Sequence, residues 1–133
     1  MPLLKMEHYL VLTDDIELTR NFYQDVIGLA VGFRADLGFP GYWLYLDETP
    51  VIHIAEWDTY TTHSNNLGIP VTTRGAGTGA FDHIAFNGYD AAQMIAKLTA
   101  MNVPFQQNDV AVTRLVQLFL FDPNGIKIEL NYR

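Results

Sequence analysis

Two stretches of the chain, "MEHYLVL" at Met6 to Leu12 and "FDHIAFN" at Phe81 to Asn87, follow one pattern: an apolar residue, an acid, a histidine, then a strand-like apolar tail. An internal repeat constrains the fold more than any single motif, because each copy is one supersecondary unit whose apolar face needs a partner. A helical pattern follows each copy. In the first half Thr13 or Asp14 is placed to cap a helix, Glu17 to complete a capping box and Gly28 to end it, with Ile16, Phe22, Tyr23 and Val26 as the apolar stripe. In the second half Asp90 is the cap and Met94, Ile95, Leu98 and Met101 form the stripe, ending before Pro104.

Strand patterns complete each copy. The first half offers "AVGFRAD", "YWLYLDE" and "VIHIAEW", and the second "VPFQQND", "RLVQLFLF" and "IKIELNY". Each half therefore reads strand, helix and three strands. In "FDPNGI", Pro123 suits the first turn position and Gly125 the left-handed residue of a bulged three-residue loop, which sets Phe119 directly across from Glu129. The expected organisation is one domain with module 1 over about 3–57, a Thr-, Gly- and Asn-rich linker over 58–80 that doubles as a lid, and module 2 over about 81–133.

The repeat also explains why a histidine sits inside the apolar run "PVIHIAE". From His8 to His53 is 45 residues and from His83 to Glu129 is 46, and "VIHIA" and "KIELN" both place one ligand-capable side chain between aliphatic neighbours. His53 is thus the first-half counterpart of Glu129. If the halves pack about a pseudo-twofold axis, their first and last strands bring His8, His53, His83 and Glu129 to one centre. Three imidazoles and a carboxylate suit Fe(II), Mn(II), Zn(II), Ni(II) or Co(II), whereas Mg(II) and Ca(II) prefer oxygen shells. His8, His83 and Glu129 alone form a two-histidine, one-carboxylate set that leaves coordination positions open.

Composition narrows the partners. A formal charge of −7 with eight scattered basic residues disfavours nucleic acid and anionic membrane, which need clustered Lys and Arg. No uninterrupted apolar run reaches membrane-spanning length, and Lys5 and Glu7 interrupt what would be a signal sequence's apolar region. The absence of cysteine removes disulfides, thiolate ligands and thiol nucleophiles. The expectation is a soluble, cytoplasmic protein acting on a small molecule. "GAGTG" lacks the Lys-Ser/Thr of a phosphate loop and precedes a strand, so it is not read as one.

The segments "EHYLVLTDDIELTRNFYQDVIGL" at Glu7 to Leu29, "FDHIAF", and "FDPNGIKIEL" at Phe121 to Leu130 resemble the vicinal oxygen chelate superfamily, also called the glyoxalase/bleomycin resistance/dioxygenase superfamily. The resemblance covers essentially the whole chain. It implies an α+β fold of two tandem βαβββ modules forming a cupped, incomplete barrel around a divalent metal, usually in a homodimer. The family's ligand positions fall on His8, His53, His83 and Glu129. Glyoxalase-like members typically carry Glu or Gln where this chain has His53, so the set here is richer in nitrogen.

Activity is less constrained. An open divalent site holds a substrate through two neighbouring oxygens. Zinc, nickel or cobalt would favour a glyoxalase-type lyase or isomerase working through an enediolate, and Fe(II) or Mn(II) would favour a dioxygenase. Where bacterial glutathione-dependent members carry Arg and Asn this chain has Leu12 and Trp57, which argues against glutathione. At the place of the ring-cleaving dioxygenases' tyrosine it has Phe119, and Val110 supplies no supporting histidine. A thiol transferase acting on a phosphonate should surround its metal with cations, but only Arg34, Arg114 and Lys127 lie near the expected strands. A metal-free drug-sequestering module would not need four ligands. Phe39, Tyr42, Trp43 and Phe119 are the expected substrate-binding residues and favour an apolar or aromatic oxygenated substrate. A dioxygenase-like enzyme with Fe(II) or Mn(II) is the preferred expectation, a lyase or isomerase the alternative, and no residue is assigned as catalytic base. His63 is expected on the linker surface.

Overall fold

A computed structural model describes residues 2–133. The chain divides into two compact units, Met1–Arg74 and Gly75–Arg133. Unit 1 contains β1 (Tyr9–Thr13), α1 (Ile16–Asn21), β2 (Ala30–Gly32), β3 (Gly41–Leu46), β4 (Thr49–Glu56) and α2 (Trp57–Leu67). Unit 2 contains β5 (His83–Gly88), α3 (Ala91–Ala100), β6 (Gln106–Val110), β7 (Leu115–Phe121) and β8 (Lys127–Tyr132).

Each unit forms an open four-stranded sheet, ordered β1-β4-β3-β2 in the first and β5-β8-β7-β6 in the second. In both, the first strand runs parallel to the last and the other pairs are antiparallel. The βαβββ unit legible in the sequence is therefore built twice, with identical topology.

Strand alternation fixes the two faces of each sheet. In β4, Ile52 and Ile54 are buried with Val11, Leu44 and Tyr23 in the core of unit 1, leaving His53 on the opposite face. In β8, Ile128, Leu130 and Tyr132 join the core of unit 2 with Ile84, Leu98, Leu118 and Leu120, while Lys127, Glu129 and Asn131 face the other way. Burying each large aliphatic side chain is worth roughly 1.5–3 kcal/mol. A one-residue slip of β8 would exchange its aliphatic and polar faces, so the core holds the candidate ligands on the open side.

Several local expectations are corrected. The cap of α1 is Asp15, which accepts from the Leu18 amide at 3.0 Å and is itself held by Thr13. Glu17 makes no capping box: it binds Arg20 and the Tyr42 hydroxyl. After α1 the chain widens into a π turn over Phe22–Ile27, ending at Gly28, whose φ of 94° is left-handed. Tyr23 and Val26 are its buried positions and Thr19 that of α1, whereas Phe22 is only half-buried. Strand β2 covers only Ala30–Gly32 of "AVGFRAD". Asp90 caps α3 as expected, accepting from the Gln93 amide at 3.1 Å, but Met101 at the end of the stripe is exposed.

The largest difference lies in the expected linker, where β4 runs directly into α2. "WDTYTTHSNNL" is rich in Thr and Asn, which have weak helix propensity, so composition hides the helix. Packing overrides propensity: Ser64 is buried, and Tyr60 and His63 lie against Phe39. Gly68 ends the helix at φ 70°, with the Ile69 amide donating back to the Ser64 carbonyl at 2.9 Å.

Candidate metal centre

In unit 1 the parallel pairing sets Leu10 beside His53, which puts His8 on the same face diagonally across from it. The two imidazoles stack with centroids 3.7 Å apart and planes 7° apart. Trp43, paired with His53 across β3, covers its other side at 4.4 Å. Nδ1 of His8 lies 2.9 Å from Glu7 Oε1, an arrangement that directs the free lone pair to Nε2.

His53 carries the most specific signal. Its Nε2 is buried without a hydrogen-bond partner, a cost that native interiors rarely leave uncompensated. Burial, and then the neighbouring His8, push its pKa down to about 4, while a bond to the Pro50 backbone partly opposes them. Near neutral pH the ring therefore holds no extra proton, and Nε2 is available to a Lewis acid.

Unit 2 repeats the arrangement with a carboxylate, Glu129, in place of the second imidazole. His83 Nδ1 lies 2.7 Å from Asp82 Oδ2, and its Nε2 lies 3.8 Å from Glu129 Oε1. Lys127 Nζ, 2.7 Å from the same Asp82 oxygen, is the main cause holding the Asp82 carboxyl below its usual range, with His83 second. The side chain of Glu129 is 15% exposed and accepts from Asn131 Nδ2 at 2.9 Å. Gln117 bridges Asn131 and Asn108, extending the polar network across the sheet.

The acid before each repeated histidine thus has a structural use that its sequence position alone did not disclose. Replacing Asp82 with Asn should weaken divalent-metal affinity by ~10- to 100-fold, the usual effect of losing a partner that orients a ligating imidazole. Cobalt titration followed by visible absorption checks it, and wild-type affinity would remove Asp82 from this role.

The four candidates stand as two pairs, His8 with His53 and His83 with Glu129. Among the described residues, no three His, Asp or Glu side chains are grouped as a metal cage. Their chemistry nonetheless fits a divalent transition metal: an orphaned buried nitrogen, two imidazoles held through Nδ1 and a carboxylate shielded from water.

The aromatic residues divide. Trp43 lies on the His53 face, and Phe119 pairs across from Glu129. Phe119 also lines a cavity of about 540 Å³ with Pro104, Phe105, Gln106, Phe121 and Lys127. Tyr42 does not stand with Trp43: adjacent strand residues face opposite sides, and its hydroxyl is held by Glu17 and Arg20 of α1. Phe39 precedes β3 and packs on Tyr60, His63 and Arg34. His63 is half-buried on α2 rather than loose in a linker. Sequence reading passed over Arg34 as a binding residue, because nothing local to "GFRAD" marks it.

The chain resembles solved structures of lactoylglutathione lyase from Agrobacterium tumefaciens, at 15% identity and a TM-score of 0.66, covering 99% of this chain and 96% of that one. It resembles the fosfomycin resistance protein FosX from Listeria monocytogenes at 13% identity and a TM-score of 0.71, covering 98% and 94%. A glyoxalase family protein from Bacillus anthracis is similar at 18% identity and a TM-score of 0.70, covering 98% and 96%. At these identities the likeness shows the fold alone. No curated protein matches the chain. The sequence model of one family matches residues 5–130, nearly the whole length, and with the doubled βαβββ unit it shows that the chain belongs to the Glyoxalase/Bleomycin resistance protein/Dioxygenase superfamily.

Proposed function

We propose that the protein is a divalent-metal-dependent enzyme acting on an apolar or aromatic oxygenated small molecule, dioxygenase-like in chemistry, and that it works as a cytoplasmic homodimer. His8, His53, His83 and Glu129 supply one ligand set. The observation that carries the reading is the buried, unpartnered Nε2 of a neutral His53, stacked against His8. A structural histidine in a strand normally spends that nitrogen on a hydrogen bond.

When bound, a divalent ion supplies Lewis acidity toward two neighbouring substrate oxygens. The chain's own residues do the rest. Glu7 and Asp82 fix the rings of His8 and His83 so that both present Nε2. Trp43 walls the His53 side with an aromatic plane, and Phe119 places an apolar ring beside Glu129. These surfaces exclude water and favour a flat or apolar substrate over a polyanion.

A glyoxalase-type lyase or isomerase is the second reading, favoured by one observation. Phe119 stands across from Glu129 with no hydroxyl to move a proton. The metal of the anaerobically purified, untagged protein separates the readings by plasma mass spectrometry. Near-stoichiometric iron or manganese supports oxygen chemistry; zinc, nickel or cobalt supports the lyase or isomerase; no uptake even on reconstitution overturns both in favour of a metal-free binding module.

A further inference from the structure

Of the three arginines of unit 1, Arg34 is the one that no carboxylate pairs. Arg20 pairs with Glu17, and Arg74 pairs with Asp14. Among the described residues Arg34 has no ion pair, and its half-buried side chain holds Nε closed from solvent without a partner. Its Cζ lies 4.9 Å from the centroid of the Phe39 ring, which fixes the plane of the fork. Burying a cation without an ion pair is costly, and a weakly hydrated guanidinium that can stack on Phe39 and still present its donor fork suits that place better than an ammonium.

Its surroundings are made to admit it. A Cβ on Gly41 would clash with the Ile54 carbonyl oxygen and stand 3.0 Å from Arg34 Nη2, so the close strand backbone requires the glycine, which also leaves room for the guanidinium beside it. Gly41 is two residues before Trp43 in β3 and pairs with Ala55, two residues after His53 in β4. The guanidinium therefore lies along the sheet from the Trp43–His53 stack. On its other flank, the His63 ring packs 4.8 Å from Phe39, beside Gly38 at φ 85°. Tyr60 closes the same aromatic cluster at 5.3 Å.

We propose that Arg34, backed by Phe39 and flanked by His63, is a subsite for the carboxylate of an aromatic monoanion whose ring lies toward Trp43. A planar carboxylate matches the guanidinium fork and supplies the ion pair that the nearby Asp36, which acts on Arg34 only through its charge, does not make. A single guanidinium at this place, in a chain of charge −7, suits one negative charge and disfavours a phosphate dianion. The assignment deepens the substrate side of the proposed function, resting on the His53 face being the substrate face, and it needs no bound metal.

Benzoate and its neutral analogue benzamide are the probes, titrated by calorimetry and tryptophan fluorescence into the full chain, once with chelator and once after metal loading. Wild type should prefer benzoate in both states. Arg34→Met should lose about 10- to 100-fold in benzoate affinity, the worth of one charge-assisted pair, with benzamide unchanged. Arg34→Lys, which keeps the charge and loses the fork, should fall between, and Arg20→Met, an engaged arginine on the helix side, should bind as wild type. Equal binding of benzoate and benzamide, unaltered benzoate affinity in Arg34→Met, or no saturable benzoate binding overturns the subsite. Failure of metal uptake with benzoate preference intact would instead sink the metal reading alone.

Discussion

Replacing His83 or Glu129 with alanine should strip the divalent metal from the protein while leaving the fold in place. Both side chains sit on the open face of the second sheet, whose opposite face carries Ile84, Ile128 and Leu130 into the core. Neither substitution removes core volume. Each removes a donor itself rather than a group that orients one, so affinity should fall by more than the ~100-fold upper end for orienting residues. Metal content after dialysis and far-UV circular dichroism measure the two halves of the expectation. The melting comparison belongs on metal-free samples, because a ligand that binds only the folded state raises apparent stability by mass action. Full metal occupancy in both variants would sink the ligand set.

The second large effect is expected on the hidden side of the first sheet. Ile54 is 1% exposed and adjoins His53 in β4, so it anchors the strand without touching the candidate centre. Ile54→Ala should cost ~2–5 kcal/mol through lost burial and the cavity left behind, and Ile54→Val only ~0.5–1.5 kcal/mol. Urea unfolding checks it as a fall in midpoint with unchanged slope. A loss well under 1 kcal/mol for the alanine variant would mean that the aliphatic face of β4 does not hold the strand.

What the sequence disclosed, it disclosed through periodicity. The repeat set out two βαβββ units, and the alternation in "KIELNY" separates Glu129 from Ile128 and Leu130. The turn chemistry of "FDPNGI" placed Phe119 opposite Glu129, a register the structure reproduces. The same alternation argues against reading Tyr42 and Trp43 as partners in one pocket, since neighbours on a strand cannot share a face.

Other features depend on contacts that no local pattern encodes. The π turn at Phe22–Ile27 continues α1 without a break in the apolar pattern, and α2 forms in a segment whose Thr and Asn residues favour it weakly. The stop at Gly68 was the one readable sign of α2. Arg34 acquires meaning only when Gly41, Phe39 and His63 are brought around it from a strand, a loop and a helix. Glu7 and Asp82 were visible as a repeated acid, but their use as partners of Nδ1 required the ring orientations.

X-ray absorption at the metal edge of the cobalt-loaded protein tests whether the proposed ligands His8, His53, His83 and Glu129 bind one ion, because imidazole rings leave a multiple-scattering signature that carboxylates and water lack. The expected result is a mixed nitrogen and oxygen shell with three imidazoles, losing one imidazole in His53→Ala. A shell of oxygen alone, or one unchanged by that substitution, would contradict it.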